Sequence, residues 1–251
     1  MLAYYAVSGE ILMANSIPSQ VFDVLQRDLV KVRPELIGRN VVLCPICLRE
    51  ISEQEVIKGG AEHIIPRNVI RKDDANKRIL GSKNQRCGIT VLCRTPRICQ
   101  SNGKLATEGC NGLKGQIYDR LFADLLDDEA HDTHELTCRH KVAILVMAYL
   151  GAFQIFGYSY ILRNELNEVR KQFDFPEEPK TKWLNEVYYN PSATRQWIVV
   201  TNWGSPFVVG SAMTPDSPLQ VLFRRCQAEL PPGHLNSPGV DLISLLTPDM
   251  K

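Results

Sequence analysis

Cys110-Asn111-Gly112-Leu113-Lys114-Gly115 places a thiol, an amide and an ammonium at the opening of one segment. From Asn111 onward Leu113, Ile117, Leu121 and Leu125 recur every four residues with Tyr118 and Phe122 beside them, which predicts a helix directly after Cys110. Upstream, Cys44-Pro45-Ile46-Cys47 follows the strand-like run Asn40-Val41-Val42-Leu43. Two sulfurs on such a tight turn can share one tetrahedral ion. A redox CxxC is the rival, but that motif belongs at a helix start inside a βαβ unit, and no such pattern surrounds this one. Between the two thiol motifs stands Glu62-His63-Ile64-Ile65-Pro66, an acid and a histidine side by side at the edge of an apolar step.

Taken in order, the CxxC, the acid-His-Ile-Ile-Pro and the Cys-Asn-x-x-Lys-Gly resemble the HNH (ββα-metal) endonuclease family over residues 40–126. The resemblance implies a β-hairpin and a helix clasping one catalytic divalent ion, with a separate structural zinc at the base. It implies Glu62 as an acidic metal ligand, His63 as the general base that activates water, and Asn111 as the second ligand. The family's second cysteine pair is also a CxxC, whereas here Thr107 stands three residues before Cys110. The zinc set is therefore read as Cys44, Cys47, Cys110 and Cys93, which closes the strand-like run Ile89-Thr90-Val91-Leu92, with Cys99 and then Cys87 as alternatives. The middle asparagine, which orients the base, is read as Asn84, with Asn76 and Asn102 as rivals.

The chemistry agrees with these roles. Hydrolysing a phosphodiester needs a deprotonated water and neutralisation of the charge that develops on phosphate and leaving oxygen, and one Mg²⁺ or Mn²⁺ supplies the second. An imidazole with an ordinary pKa of about 6.5 supplies the first, provided an acceptor holds its other nitrogen. A carboxylate and an amide oxygen suit a hard ion that keeps several waters. Asn111 at a helix start favours a phosphate nearby. Lys114, one turn on, is expected to aim its ammonium at the phosphate backbone, together with Arg67 and Arg94 and, from the same local supply, Arg71, Lys72, Arg97 and Lys104.

Only local charge can do this, because 29 Lys and Arg face 28 Asp and Glu. With 251 residues, 44% hydrophobic and 23% charged, the chain can bury one or two cores. Most of its eight cysteines crowd around the motifs, which suggests metal rather than disulfides and a reducing, cytoplasmic setting. The first residues, MLAYYAVSGEILMANS, lack a positive n-region, so no secretory signal is expected. Val142 to Leu162 runs 21 residues without a formal charge, long enough to span a bilayer. Gln154, Ser159, two glycines and three tyrosines make a buried central helix the preferred reading.

The expected fold is α+β: an N-terminal helical arm (1–40), a ββα-metal HNH core stapled by zinc (41–126), and a C-terminal part (127–251) with added helices and a small antiparallel β element. Val21, Leu25, Leu29 and Val32 have helical spacing up to Pro34. A solvated acidic connection is expected over 124–135, one long helix over 139–173, and a linker over 174–182. Trp197-Ile198-Val199-Val200, Phe207-Val208-Val209 and Val221-Leu222-Phe223 read as short strands. Cys138 and Cys226 read as small buried hydrophobes, and His131, His134 and His140 as exposed. The function expected is metal-dependent cleavage of DNA, with RNA as the other substrate. A role in phage defence follows by analogy alone. The alternative is a non-catalytic zinc-knuckle module that binds nucleic acid or regulates. A zinc deaminase is disfavoured, since that signature needs His-x-Glu with Pro-Cys-x-x-Cys downstream.

Overall fold

Helices and small sheets share the chain in an α+β arrangement in the computed structural model, which describes residues 17–72, 88–103, 105–125, 136–190, 208–211, 217–223 and 225–232. The first elements are α1 (Ile17–Val32), β1 (Val41–Leu43), β2 (Glu50–Ser52), α2 (Glu53–Gly59), β3 (Glu62–His63) and α3 (Arg67–Lys72). Then come β4 (Ile89–Thr90), β5 (Arg97–Ile98), β6 (Leu105–Ala106), α4 (Gly109–Leu113), a π-helical turn (Lys114–Asp119) and α5 (Arg120–Leu125). The chain continues through α6 (Cys138–Ile161), α7 (Leu166–Gln172), β7 (Val187–Tyr189), β8 (Val208–Ser211), β9 (Leu219–Phe223) and β10 (Cys226–Leu230).

A helix that is apolar on every face must be covered on every face. That is the position of α6, whose residues from Val142 to Gln154 are buried and which packs against α1, the π turn, α5, β10 and β7. Its length and composition would also suit a bilayer, but its apolar surface is already covered by protein. Thr137 starts it in a capping box in which the imidazole of His140 takes the place usually held by a Glu, so this histidine caps a helix rather than simply facing solvent. The helix expected over 139–173 is two helices, α6 and α7, separated by a turn.

Before its end α6 is broken at Gly157, where φ is +65°. The buried carboxylate of Asp28, from α1, accepts the Tyr158 N–H at 2.7 Å in that gap, and a Cβ at Gly157 would lie 2.0 Å from Asp28 Oδ2. Burial pushes the Asp28 carboxyl above its ordinary range, with the Tyr158 N–H and Lys31 pulling it down. A raised folded pKa means the fold favours the neutral acid. Its contribution is complete below the unfolded carboxyl value of about 3.9 and is lost as pH rises through the folded value. An Asp28→Asn protein, which keeps an oxygen for Tyr158, is therefore expected to match wild type in thermal unfolding at acidic pH and exceed it at neutral pH. Equal melting at both would remove the assigned cost.

Among the described residues the strands form three two-stranded antiparallel pairs, β1–β2, β3–β4 and β5–β6, and one four-stranded antiparallel sheet in the order β7-β10-β9-β8. The expected strand runs 207–209 and 221–223 fall in or beside β8 and β9, while Trp197 to Val200 lies outside the described residues. Side chains of α6 join these parts. Tyr158 Oη donates to Leu43 O at 2.6 Å, Tyr149 Oη to Pro45 O at 2.7 Å, and Tyr160 Oη to Pro231 O at 2.9 Å. Residues from all three expected segments thus meet around one helix, and the β1–β2 turn is held from behind by two buried phenols.

Candidate functional site

Cys44 directly follows β1, and the turn there is closed by Leu48 N–H to Cys44 O at 2.8 Å and Cys44 N–H to Arg49 O at 2.9 Å. This tight return places the Sγ atoms of Cys44 and Cys47 with that of Cys110, all within 4.8 Å of one another. Such a sulfur cluster can hold a soft-ligated metal such as zinc. Cys93 lies against it: its N–H donates to Cys44 Sγ at 3.4 Å and its thiol hydrogen-bonds with that of Cys47. Hydrogen bonds from the Cys44 and Cys47 thiols, and the Arg97 guanidinium 3.1 Å away, bring the Cys110 thiol down to about 4 against the effect of burial. Burial pushes the Cys44 thiol up.

The other cysteines stand apart. Cys99 pairs with Ser101 Oγ at 3.3 Å and Asp174 O at 3.5 Å, outside the cluster. Cys87 lies outside the described residues. Cys226 is buried in β10 and Cys138 half-buried at the start of α6.

Gly109 brings Cys110 to this cluster. Its φ is +57°, and a Cβ there would meet Thr95 O at 2.5 Å and Cys93 O at 2.6 Å. Glycine alone allows that approach, which lets Asn111 N–H donate to Cys93 O at 3.2 Å and sets the first turn of α4 on the Cys93 loop. The next residue after the thiol therefore points its amide at β3.

There the Asn111 amide ends 2.6 Å from Glu62 Oε2. Turned one way, its NH₂ donates to Glu62 while its oxygen accepts from Arg94 Nη2 at 3.3 Å. Turned the other way, two oxygens converge as they would on a shared cation. Glu62 and His63 both line a cleft of about 410 Å³, with Arg67, Asn68, Asp119 and Arg120 among its walls. In a long strand adjacent residues face opposite sides, but β3 is only two residues long and turns away at Ile64. Burial pushes the Glu62 carboxyl up, the Lys114 ammonium and Arg94 pull it down, and the neighbouring Asp119 adds to the rise. Burial likewise raises Asp119 against the pull of Lys114.

Two cations are not where phosphate contact requires them. Lys114 is fully buried, its ammonium bonded to His63 O at 2.8 Å and Asp119 Oδ1 at 2.6 Å, so it cannot reach a phosphate. Arg97 is spent on Cys110 Sγ and on an ion pair with Asp174, which is buried although it opens the expected linker. Arg67 and Arg94 are exposed, and Arg120 joins Arg67 at the cleft. Asn84, Asn76 and Lys104 lie outside the described residues, as do the side chains of Arg71 and Lys72, and Asn102 is exposed in the β5–β6 turn.

The residues missed by sequence reasoning are Asn68, Asp119 and Arg120 at the cleft and Arg97 at the sulfurs. Asp119 and Arg120 had a readable signal, since they continue the helix that opens at Cys110. Arg97 had none, because its partner Asp174 is remote in sequence.

Compared with protein-family models, with curated proteins and with solved structures, the chain finds no match in any of the three.

Proposed function

We propose that the chain is a metal-dependent endonuclease of the HNH (ββα-metal) type that hydrolyses phosphodiester bonds of DNA. The observation that carries this is the meeting of Asn111 and Glu62 at 2.6 Å, from motifs far apart in sequence, with Glu62 and His63 both lining one cleft. An antiparallel pair, β3–β4, with α4 after it supports the ββα order, and β5–β6 is an insertion between them. The donor set, one carboxylate and one amide oxygen, fits a hard divalent ion. Held there, Mg²⁺ or Mn²⁺ would neutralise the charge developing on the phosphate and leaving oxygen.

The chain's own residues do the rest. His63 takes a proton from the attacking water through a ring nitrogen as the new O–P bond forms and the ester O–P bond breaks. Glu62, whose carboxylate feels the Lys114 and Arg94 charges, and Asn111 would each hold that ion through one oxygen. Arg67, Arg94 and Arg120 meet the backbone phosphates on either side of the scissile bond. Cys44, Cys47, Cys93 and Cys110 would hold a structural zinc that fixes the Asn111 helix, and thiols of this kind suit a reducing, cytoplasmic setting.

The test is direct. Supercoiled plasmid incubated with the protein in Mg²⁺ or Mn²⁺ is expected to be nicked, and EDTA is expected to stop it. Plasmid that binds but stays intact in both metals would leave the non-catalytic zinc-knuckle module in its place.

A further inference from the structure

We propose that Lys114 is a positioning residue: its buried ammonium clamps the strand bearing Glu62 and His63 to the helix bearing Asn111, with Asp119 as its fixed counter-charge. The proposal rests on the nuclease reading and assigns to that site a residue whose sequence position suggests phosphate contact.

A lysine with no exposed surface must have its charge answered inside the protein. Lys114 Nζ donates to His63 O at 2.8 Å and to Asp119 Oδ1 at 2.6 Å. The first bond ends on the backbone of β3, not on a side chain. Any shift of the ammonium therefore moves Glu62 and His63 together. The same lysine sits one turn after Asn111 on continuous helix, so one bond fixes the distance between the two halves of the site.

The local backbone is shaped for this pair. In an α-helix residues three and four apart are neighbours and residues five apart are not. Lys114 to Asp119 is a π-helical turn, whose i→i+5 pattern brings the fifth residue onto the same face. A turn of that kind is rare and frequently marks a functional site. Here it sets a carboxylate against the ammonium without help from another element. Asp119 reaches the edge of the cleft, while Lys114 lies wholly beneath it. Glu62 is close enough to feel both charges.

The experiment compares wild type with Lys114→Met and with Lys114→Met/Asp119→Leu, in which neither member of the ion pair is left without the other. Zinc content, thermal unfolding, DNA affinity against salt, and kcat and KM for nicking in Mn²⁺ are measured on each. The double variant is expected to keep its zinc, its fold, its KM and its salt dependence while kcat falls by about 10²-fold, the effect of a misplacement near 1 Å. Lys114→Met, which strands Asp119, is expected to lose the same activity and melt lower.

An unchanged kcat in the folded double variant would overturn the proposal. So would a raised KM with a salt slope reduced by about one, the signature of a lost phosphate contact. A double variant that cannot fold would make the pair a determinant of the fold alone and overturn the positioning role. A wild type that never cuts overturns the nuclease reading itself, whereas a cutting wild type beside an equally active double variant overturns only the role of Lys114.

Discussion

A Cys110→Ser protein is expected to lose its zinc and, with it, on the order of 5 kcal/mol of stability, the range in which removal of a structural metal ligand falls. At about 2–4 °C per kcal/mol for a chain of this size, the thermal midpoint falls by roughly 10–20 °C. The Cys110 thiol is brought down to about 4, and it is the sulfur to which Arg97 donates. A hydroxyl there is neither a thiolate ligand nor an anion for the guanidinium, so Arg97 keeps only Asp174 as an anionic partner. The loss also reaches the cleft, because Asn111 is the next residue and its N–H is tied to Cys93 O. Metal analysis is expected to find about one zinc per wild-type chain and none in the variant. Cys93→Ser is expected to weaken zinc and Cys99→Ser to leave it, since the Cys99 thiol is spent on Ser101 and Asp174. A folded wild type without zinc would sink the assignment, and zinc lost from Cys99→Ser but kept in Cys93→Ser would exchange the fourth ligand.

The parts of this architecture that could be read from the sequence are those fixed by short-range pattern. The four-residue spacing after Cys110 is a helical face, and the apolar run into Cys44 is a strand because its turn must bring two sulfurs together. The strand β10 went unread although Cys226, Ala228 and Leu230 alternate with Gln227 and Glu229, and it buries the apolar set and leaves the polar pair half-exposed. What could not be read is set by partners distant in the chain. Nothing near Asp174 says that it faces Arg97, and nothing near Gly157 says that α6 breaks to admit Asp28. Lys114 shows the same limit within one helix. On α-helical spacing it belongs to the polar face, and only the change to a π turn buries it against Asp119. That Glu62 and Asn111 meet, with His63 beside Glu62, was suggested by the ordered short motifs that carry them. The wall residue Asn68 was not, because lining a cleft leaves no local pattern.

His63→Ala is expected to be the most damaging single change to cleavage and among the mildest to the fold. General-base catalysis by a placed imidazole is worth about 10²–10⁴-fold, so nicking should fall by that factor. What the substitution leaves intact makes the result interpretable. The backbone carbonyl that accepts the Lys114 ammonium at 2.8 Å remains at position 63, as does its pairing with Ile89 in β4. Glu62 and Asn111, the two proposed ligands of the catalytic ion, are untouched, so Mn²⁺ binding and DNA affinity should stay near wild type while kcat drops and KM holds. A half-exposed ring at the mouth of an open cleft also leaves no cavity in the core when it is removed. The contrasting variant is Glu62→Gln, which should lower metal affinity and make activity climb again at high Mn²⁺, a rescue that His63→Ala should not show. A His63→Ala protein that nicks plasmid as fast as wild type would remove the base from the mechanism. One that recovers with added Mn²⁺ would move His63 from proton acceptor to metal ligand, leaving Glu62 and Asn111 to share the ion with it.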